Sequence, residues 1–338
     1  MRRGAIVRMA AIGVVVGVAV SLVAVLIPWL PTSASEEMDR ITFVYWFATV
    51  ICIAIFALVA AVIVYSVTTF RVQPEDDTDG PPIHGHTGLE VVWTIIPAVL
   101  VVAIGVVSAV VLAQNGNAGT NPLRIKVVAQ QFAWRFEYPG DGNIRSGELV
   151  LPASRKVELQ LESLDVIHSF WVPDFGQKQD LVPGSEQRLV ITPKKAGSYP
   201  LLCTELCGLG HPTMRAQVRV LPQAEYDAWL AEQRGGGAGG GGADAASLFA
   251  EQGCGGCHAL QKAGTDAQVG PALETARLQQ AADDAGQPLA AYVEESIVDP
   301  DSVVAAGYQS GVMRGDYAER MTSEQIDALV SYLTEPGG

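Results

Sequence analysis

Two short stretches of this 338-residue chain carry side chains that bind soft metals. In "LLCTELCGLGHPTM", Cys203 and Cys207 are followed by His211 and Met214, with glycines between them. Thiolate, imidazole and thioether together select copper, whereas zinc usually takes four Cys/His ligands in separated pairs. One blue-type copper needs a single cysteine. A second cysteine therefore points to two coppers bridged by two thiolates, each capped by its own imidazole. Such a pair spreads one electron over two metals and suits one-electron relay better than substrate chemistry. The second imidazole must come from elsewhere, and "DVIHSFWVP" offers His168, expected in a loop after the strand "KVELQLES". A Cys203–Cys207 disulfide is the rival reading, and it leaves the histidine and methionine spacing without a reason.

The second stretch is "CGGCH", Cys254, Cys257 and His258, the attachment signal for heme c. Two thiols add to the heme vinyl groups and the following imidazole ligates iron. A CxxC redox disulfide competes with this, but the appended His258 and the helical surroundings argue against it. The opposite axial ligand should be a methionine, which raises the potential. Met313, in the glycine-flanked "SGVMRGDY", is preferred to Met321, which reads better as the hydrophobic staple of the last helix. Arg314, beside Met313, is a candidate partner for a heme propionate. Cys52 lies in an apolar stretch and reads as a small filler.

The elements that must position these groups differ along the chain. Residues 9–30, 41–70 and 91–114 are uncharged over lengths that span a bilayer, which needs roughly 20 apolar helical residues. The first, preceded by Arg2, Arg3 and Arg8, reads equally as a signal peptide or an anchor helix. The basic start stays in the cytoplasm. Three crossings then put everything after residue 114 on the outer face. From residue 123 onward, short alternating runs broken by Pro and Gly predict a β-sandwich or small barrel, closed by the amphipathic "PQAEYDAWLAEQ". "GGGAGGGG", residues 235–242, is a linker. Beyond it the pattern is helical, in "ADAASLFAEQ", "PLAAYVEESIVDP" and "TSEQIDALVSYLTE", the last opened by a capping box, Thr322 with Gln325. Residues 119–234 hold 13 basic and 13 acidic residues, whereas residues 243–338 hold four and 15. An acidic surface of that kind makes nucleic acid an improbable partner and fits a basic one. No internal repeat, phosphate loop or Ser-His-Asp grouping stands out.

The loop "CTELCGLGHPTM", the segment "DVIHSFWVPDFGQKQDLVPG" and the helix opening "GLEVVWTIIP" closely resemble subunit II of heme–copper cytochrome c oxidases, over residues 41–229. With the heme motif, the resemblance is to the caa-type arrangement, in which a cytochrome c domain is fused to the C-terminus. It implies a membrane hairpin, a cupredoxin-like β-sandwich holding dinuclear copper (CuA), and an all-α class I cytochrome c domain. The expected boundaries are 1–40 for the signal or anchor helix, 41–118 for the hairpin, 119–234 for the copper domain, 235–242 for the linker and 243–338 for the cytochrome domain. By resemblance, Cys203 and Cys207 bridge the coppers, and His168 and His211 ligate one each. Met214 and the Glu205 carbonyl complete the site. The Glu205 side chain faces a magnesium shared with subunit I, and Glu90 marks the mouth of a proton channel. "GPAL" resembles the cytochrome c segment whose proline carbonyl, here that of Pro271, orients the axial histidine.

The family's Gln-Trp-Tyr-Trp run reads Gln131-Phe132-Ala133-Trp134 here. Phe132 thus holds the position of electron uptake, with Trp134 beyond it, and docking of a separate cytochrome there comes into doubt. The expected function is that of a bacterial-membrane oxidase subunit. Electrons enter at heme c and pass through CuA to heme a of subunit I, where oxygen is reduced with proton translocation. Subunit III, membrane lipid and a donor cytochrome or membrane complex are the other implied partners. The alternatives are the small subunit of a CuA-containing nitric oxide reductase and an anchored copper carrier or redox sensor. A quinol oxidase subunit would lack the copper cysteines.

Overall fold

The computed structural model describes residues 3–71, 75, 80, 82, 84–142, 144–236 and 245–335. Apart from its first two glycines, the expected linker at 235–242 lies outside them. The chain forms two compact units, one of Met1–Thr32 with Met38–Gly116, the other of Ser33–Glu37 with Asn117–Gly338.

Three helices make up the first unit: α1 (Arg3–Leu26), α2 (Glu36–Thr69) and α3 (Thr87–Asn115). Each is long and apolar enough to cross a membrane, and their side chains point largely outward, as lipid-facing helices require. Gly13 and Gly17 of α1 let it lie close against Ala61 and Ala57 of α2, the small-residue contact by which membrane helices associate.

The second unit opens with ten strands: β1 (Leu123–Gln130), β2 (Ala133–Tyr138), β3 (Ile144–Ser146), β4 (Leu149–Pro152), β5 (Val157–Ser163), β6 (His168–Trp171), β7 (Lys178–Leu181), β8 (Gln187–Ile191), β9 (Gly197–Cys203) and β10 (Arg215–Leu221). They form two sheets, ordered β3-β2-β1-β5-β8 and β4-β10-β9-β6-β7. The run "LRIKVVAQQFAWRFEYPG" is two antiparallel strands, β1 and β2, that part at Gln131 and Phe132. Their inward residues (Ile125, Val127, Trp134, Phe136) meet Leu149, Leu151, Phe170 and Val218 of the other sheet in one apolar core. Tyr138 ties the sheets together: its hydroxyl donates to the Val150 carbonyl at 3.1 Å and accepts from the Val150 amide at 2.7 Å. Helix α4 (Gln223–Gly236) closes the sandwich, with Trp229 against the Tyr138 ring at 5.1 Å. Segment Ser33–Glu37 also belongs here, since the Glu37 carboxylate accepts from both the amide and the hydroxyl of Thr192.

The C-terminal part is helical apart from one short strand pair: α5 (Ala245–Glu251), β11 (His258–Leu260), β12 (Thr265–Gln268), α6 (Thr275–Ala285), α7 (Leu289–Val298), α8 (Tyr317–Arg320) and α9 (Ser323–Thr334). Phe249, Tyr292, Val293, Ile326 and Leu329 share its core. The predicted capping box at the start of α9 is present, and Met321 is buried in the same core as Ile326.

Candidate metal and heme centres

The copper-loop residues converge because three neighbouring strands end together. Strand β9 delivers Cys203 at its last residue, β10 begins just after Met214, and the Cys203 amide donates to the Met214 carbonyl at 3.1 Å. His168 is the first residue of β6, which pairs with β9 through Phe170 and Cys203. The sequence placed His168 in a loop. Three of the four β6 residues are buried, so the strand shows no alternation to read.

The sulfurs of Cys203 and Cys207 lie 3.9 Å apart, unbonded. Cys203 Sγ is 3.8 Å from His168 Nδ1 and 3.4 Å from the Glu205 carbonyl. Cys207 Sγ is 3.5 Å from His211 Nδ1 and 3.7 Å from Met214 Sδ. Each sulfur thus has its own imidazole, and the thioether and the carbonyl lie at opposite ends of the pair. All these groups are buried except His211, at intermediate exposure, and Glu205, whose side chain is exposed. Two imidazoles, one thioether and one carbonyl facing a pair of thiols fit two coppers, and the two sulfurs are not joined as a disulfide.

Charge is arranged to favour one thiolate in the metal-free pair. Burial would raise the Cys203 thiol, but hydrogen bonding to His168 and to the backbone at Ser169 and Glu205 brings it down to about 6. Burial, and then the charge on Cys203, push Cys207 up to about 12. A cation between them is what ionises the second. His168 Nε2 lies 2.8 Å from Asp165 Oδ1, which fixes the ring. Asp165 itself is desolvated, yet hydrogen bonds from His168 and from the amides of Gln131 and Val166 hold its carboxyl below the usual range. No sequence signal had marked Asp165, three residues from His168. Trp134 meets the His168 ring edge-on, and the Phe132 ring lies over Gly208 and Gly210, where an added Cβ would come within 3.0 Å and 2.5 Å of it.

The heme residues line an apolar cavity of about 180 Å³. Cys254, Cys257, His258, Met313 and Met321 all face it, so both candidate methionines reach one chamber. His258 Nδ1 is 2.7 Å from the Pro271 carbonyl, which assigns Nδ1 as the donor and leaves Nε2 for a ligand. Burial, partly offset by that hydrogen bond, lowers the His258 pKa and keeps the imidazole neutral, as a ligand must be. Gly270 sits so close that an added Cβ would fall 2.5 Å from His258 Cε1. Burial pushes the Cys254 thiol up to about 12 and that of Cys257 up to about 11, which argues against a redox-active dithiol. The pocket, the thiols and the oriented imidazole fit a covalently held heme. Arg314 pairs with carboxylates, those of Asp316 and Asp165.

Three family descriptions match the chain: "Cytochrome C oxidase subunit II, transmembrane domain" over residues 21–111, "Cytochrome C oxidase subunit II, periplasmic domain" over 145–221, and "Cytochrome c" over 242–335. Cytochrome c oxidase subunit 2 of Alkalihalophilus pseudofirmus is 31% identical, across 84% of this chain and 84% of its own length. The chain belongs to the cytochrome c oxidase subunit II family. Its relatives include subunit 2 of Bacillus subtilis, 28% identical across 90% of this chain and 91% of its own length. A solved periplasmic domain of subunit II from Bradyrhizobium japonicum covers 35% of this chain and 98% of its own length, at 27% identity with a TM-score of 0.34.

This subunit II is therefore a multi-pass membrane component of an oxidoreductase, with a periplasmic copper-type domain and a fused cytochrome c domain. Those two domains imply copper and heme c, and the family implies a subunit I. Glu90 lies in the first turn of α3, where its carboxylate accepts from the His86 amide at 3.0 Å. That contact is a local helix cap.

Proposed function

We propose that this subunit II takes up electrons at its heme-binding domain and relays them through its copper-binding domain to heme a of subunit I, which reduces oxygen to water and translocates protons. The observation that carries the reading is the convergence of His168, Cys203, Cys207, His211 and Met214, in the same compact unit as the Cys254–Cys257–His258 cavity. When bound there, a dinuclear copper and a heme c each supply a one-electron store. The chain's own residues hold the metals, exclude water and fix the ligand rings, Asp165 on His168 and Pro271 on His258. Burial of nearly every ligand limits the rearrangement that a change of charge would cause. Met313 is the proposed sixth ligand of the heme iron, and Phe132 and Trp134 are the proposed electron-entry aromatics.

The subunit so read has its domains at 1–40, 41–118, 119–234, 235–242 and 243–338. It holds a magnesium at Glu205 and a proton-channel mouth at Glu90, and it meets subunit III and a donor cytochrome or membrane complex. The test is purification of the intact membrane complex with metal, heme and turnover analysis. Two coppers and one covalent heme per chain, with a co-purifying heme a subunit and oxygen uptake, are expected. A partner that reduces nitric oxide and not oxygen would overturn the oxidase assignment in favour of a nitric oxide reductase.

A further inference from the structure

The seam between the copper-binding sandwich and the heme-binding domain is closer than a tether alone would make it. At Gly253 an added Cβ would fall 2.3 Å from Ala133 Cβ, and at Gly256 it would fall 2.3 Å from the Phe132 carbonyl oxygen. No side chain other than hydrogen fits at either place. Thr213, from the copper loop, donates its hydroxyl to the Gly256 carbonyl at 2.8 Å. Cys257 packs against the sandwich core, and Gln131 and Phe132 line the heme cavity together with Cys254 and His258. Phe132 therefore touches both sites: the heme cavity on one side and Gly208 and Gly210 of the copper loop on the other.

Charge points the same way. The heme-binding domain has only four basic residues, Lys262, Arg277, Arg314 and Arg320. Two of them cross the seam. Arg320 Nη2 donates to Gln130 Oε1 at 2.6 Å, and Arg314 Nη1 donates to Asp165 Oδ2 at 3.3 Å. The Arg314 and Asp165 side chains are only 24% and 18% exposed, so salt screens that pair weakly. The sandwich is neutral overall, so general attraction would not orient an acidic domain; specific contacts must. Asp165 holds His168 through its other oxygen. The sequence Met313–Arg314–Asp165–His168 thus connects the two candidate ligand sets.

We infer that the heme-binding domain works in one docked pose on the sandwich. Ala133, Gly253 and Gly256 set the closeness of approach, and Arg314 is a positioning residue that ties the Met313 loop to the copper side through Asp165. The inference rests on the two-centre reading above. It also explains the aromatic run: Ala133 stands where a larger ring would collide with Gly253. Phe132 is covered by the attached domain, so outside donors must deliver electrons to the heme-binding domain.

The test uses the intact complex with three changes: Ala133→Trp, Arg314→Gln and an insertion of 24 Gly/Ser residues within 237–242. Readouts are copper and covalent heme content, amide hydrogen exchange over 130–134 and 253–257, and the rate of heme-to-copper electron transfer after a laser pulse through an attached ruthenium dye. Quadrupling an eight-residue tether would slow a tethered search roughly eightfold; the docked pose predicts a change below about twofold. Ala133→Trp should speed exchange in both segments and slow transfer at least tenfold, with copper and heme retained. Arg314→Gln should speed exchange over 130–134, and Arg314→Lys should restore part of the protection. If Ala133→Trp loses copper, Gly256→Ala, on the heme side, gives the same readout. An eightfold slowing by the insertion, or unchanged exchange and transfer in a fully loaded Ala133→Trp or Gly256→Ala protein, would overturn the docked pose. Absence of copper or heme from the parent protein would instead sink the two-centre reading.

Discussion

At the scale of residues, the copper site is organised by unequal thiols. Cys207, raised by burial and by the charge on Cys203, keeps its proton at neutral pH and must release it when copper binds. The sign follows: copper affinity of metal-depleted protein should rise with pH, about tenfold per unit above pH 7 from this one proton. Below about pH 6, where Cys203 is protonated as well, the slope should steepen. A pH-stat titration of copper uptake checks both. Cys207→Ser should leave fewer than two coppers per chain. In the heme cavity, the ligation proposed for Met313 predicts that Met313→Ala lowers the heme potential while Met321→Leu costs only packing. Gly270→Ala should keep the heme attached through Cys254 and Cys257 yet disturb its potential, because the new methyl strikes the His258 ring.

At the scale of elements, strands β6, β9 and β10 matter most, because their adjacent ends build the copper loop. Tyr138, on β2 of the other sheet, joins that sheet to theirs through Val150. Tyr138→Phe should cost about 1–3 kcal/mol by leaving the Val150 amide and carbonyl without that partner. Thr322→Ala, which removes the α9 capping box, should cost about 1 kcal/mol and be confined to the heme-binding domain. Denaturant unfolding followed separately by copper loss and by heme absorbance distinguishes these outcomes. Helix α6 escaped notice because "TARLQQAADDA" buries only Leu278 and Ala282. Its polar and apolar residues are well separated around the helix, but the segment is polar on average and its apolar side is only two buried residues wide.

At the scale of the whole molecule, charge is divided: a neutral sandwich is followed by a strongly acidic heme-binding domain. If the partner is basic, association of the donor should slow as salt rises, because that attraction acts through solvent. Transfer inside the chain should not, since its contacts are short and largely buried. Stopped-flow reduction and flash-induced transfer at two ionic strengths separate the two steps.

The sequence by itself determined the chemistry: the ligand types, the CxxCH spacing, three apolar spans and the change from alternating to helical pattern. These are local, and a ligand's identity or a helix's period is written in a few neighbouring residues. Only the tertiary structure decided which distant groups meet. His168 reaches Cys203 because β6 pairs with β9, Asp165 holds His168 while accepting from Arg314, and Ala133 faces Gly253. Apart from Asp165 on His168, three positions away, those contacts span 35 to 149 positions along the chain. No local pattern encodes them, because they follow from strand order and from the fit of one domain surface to another.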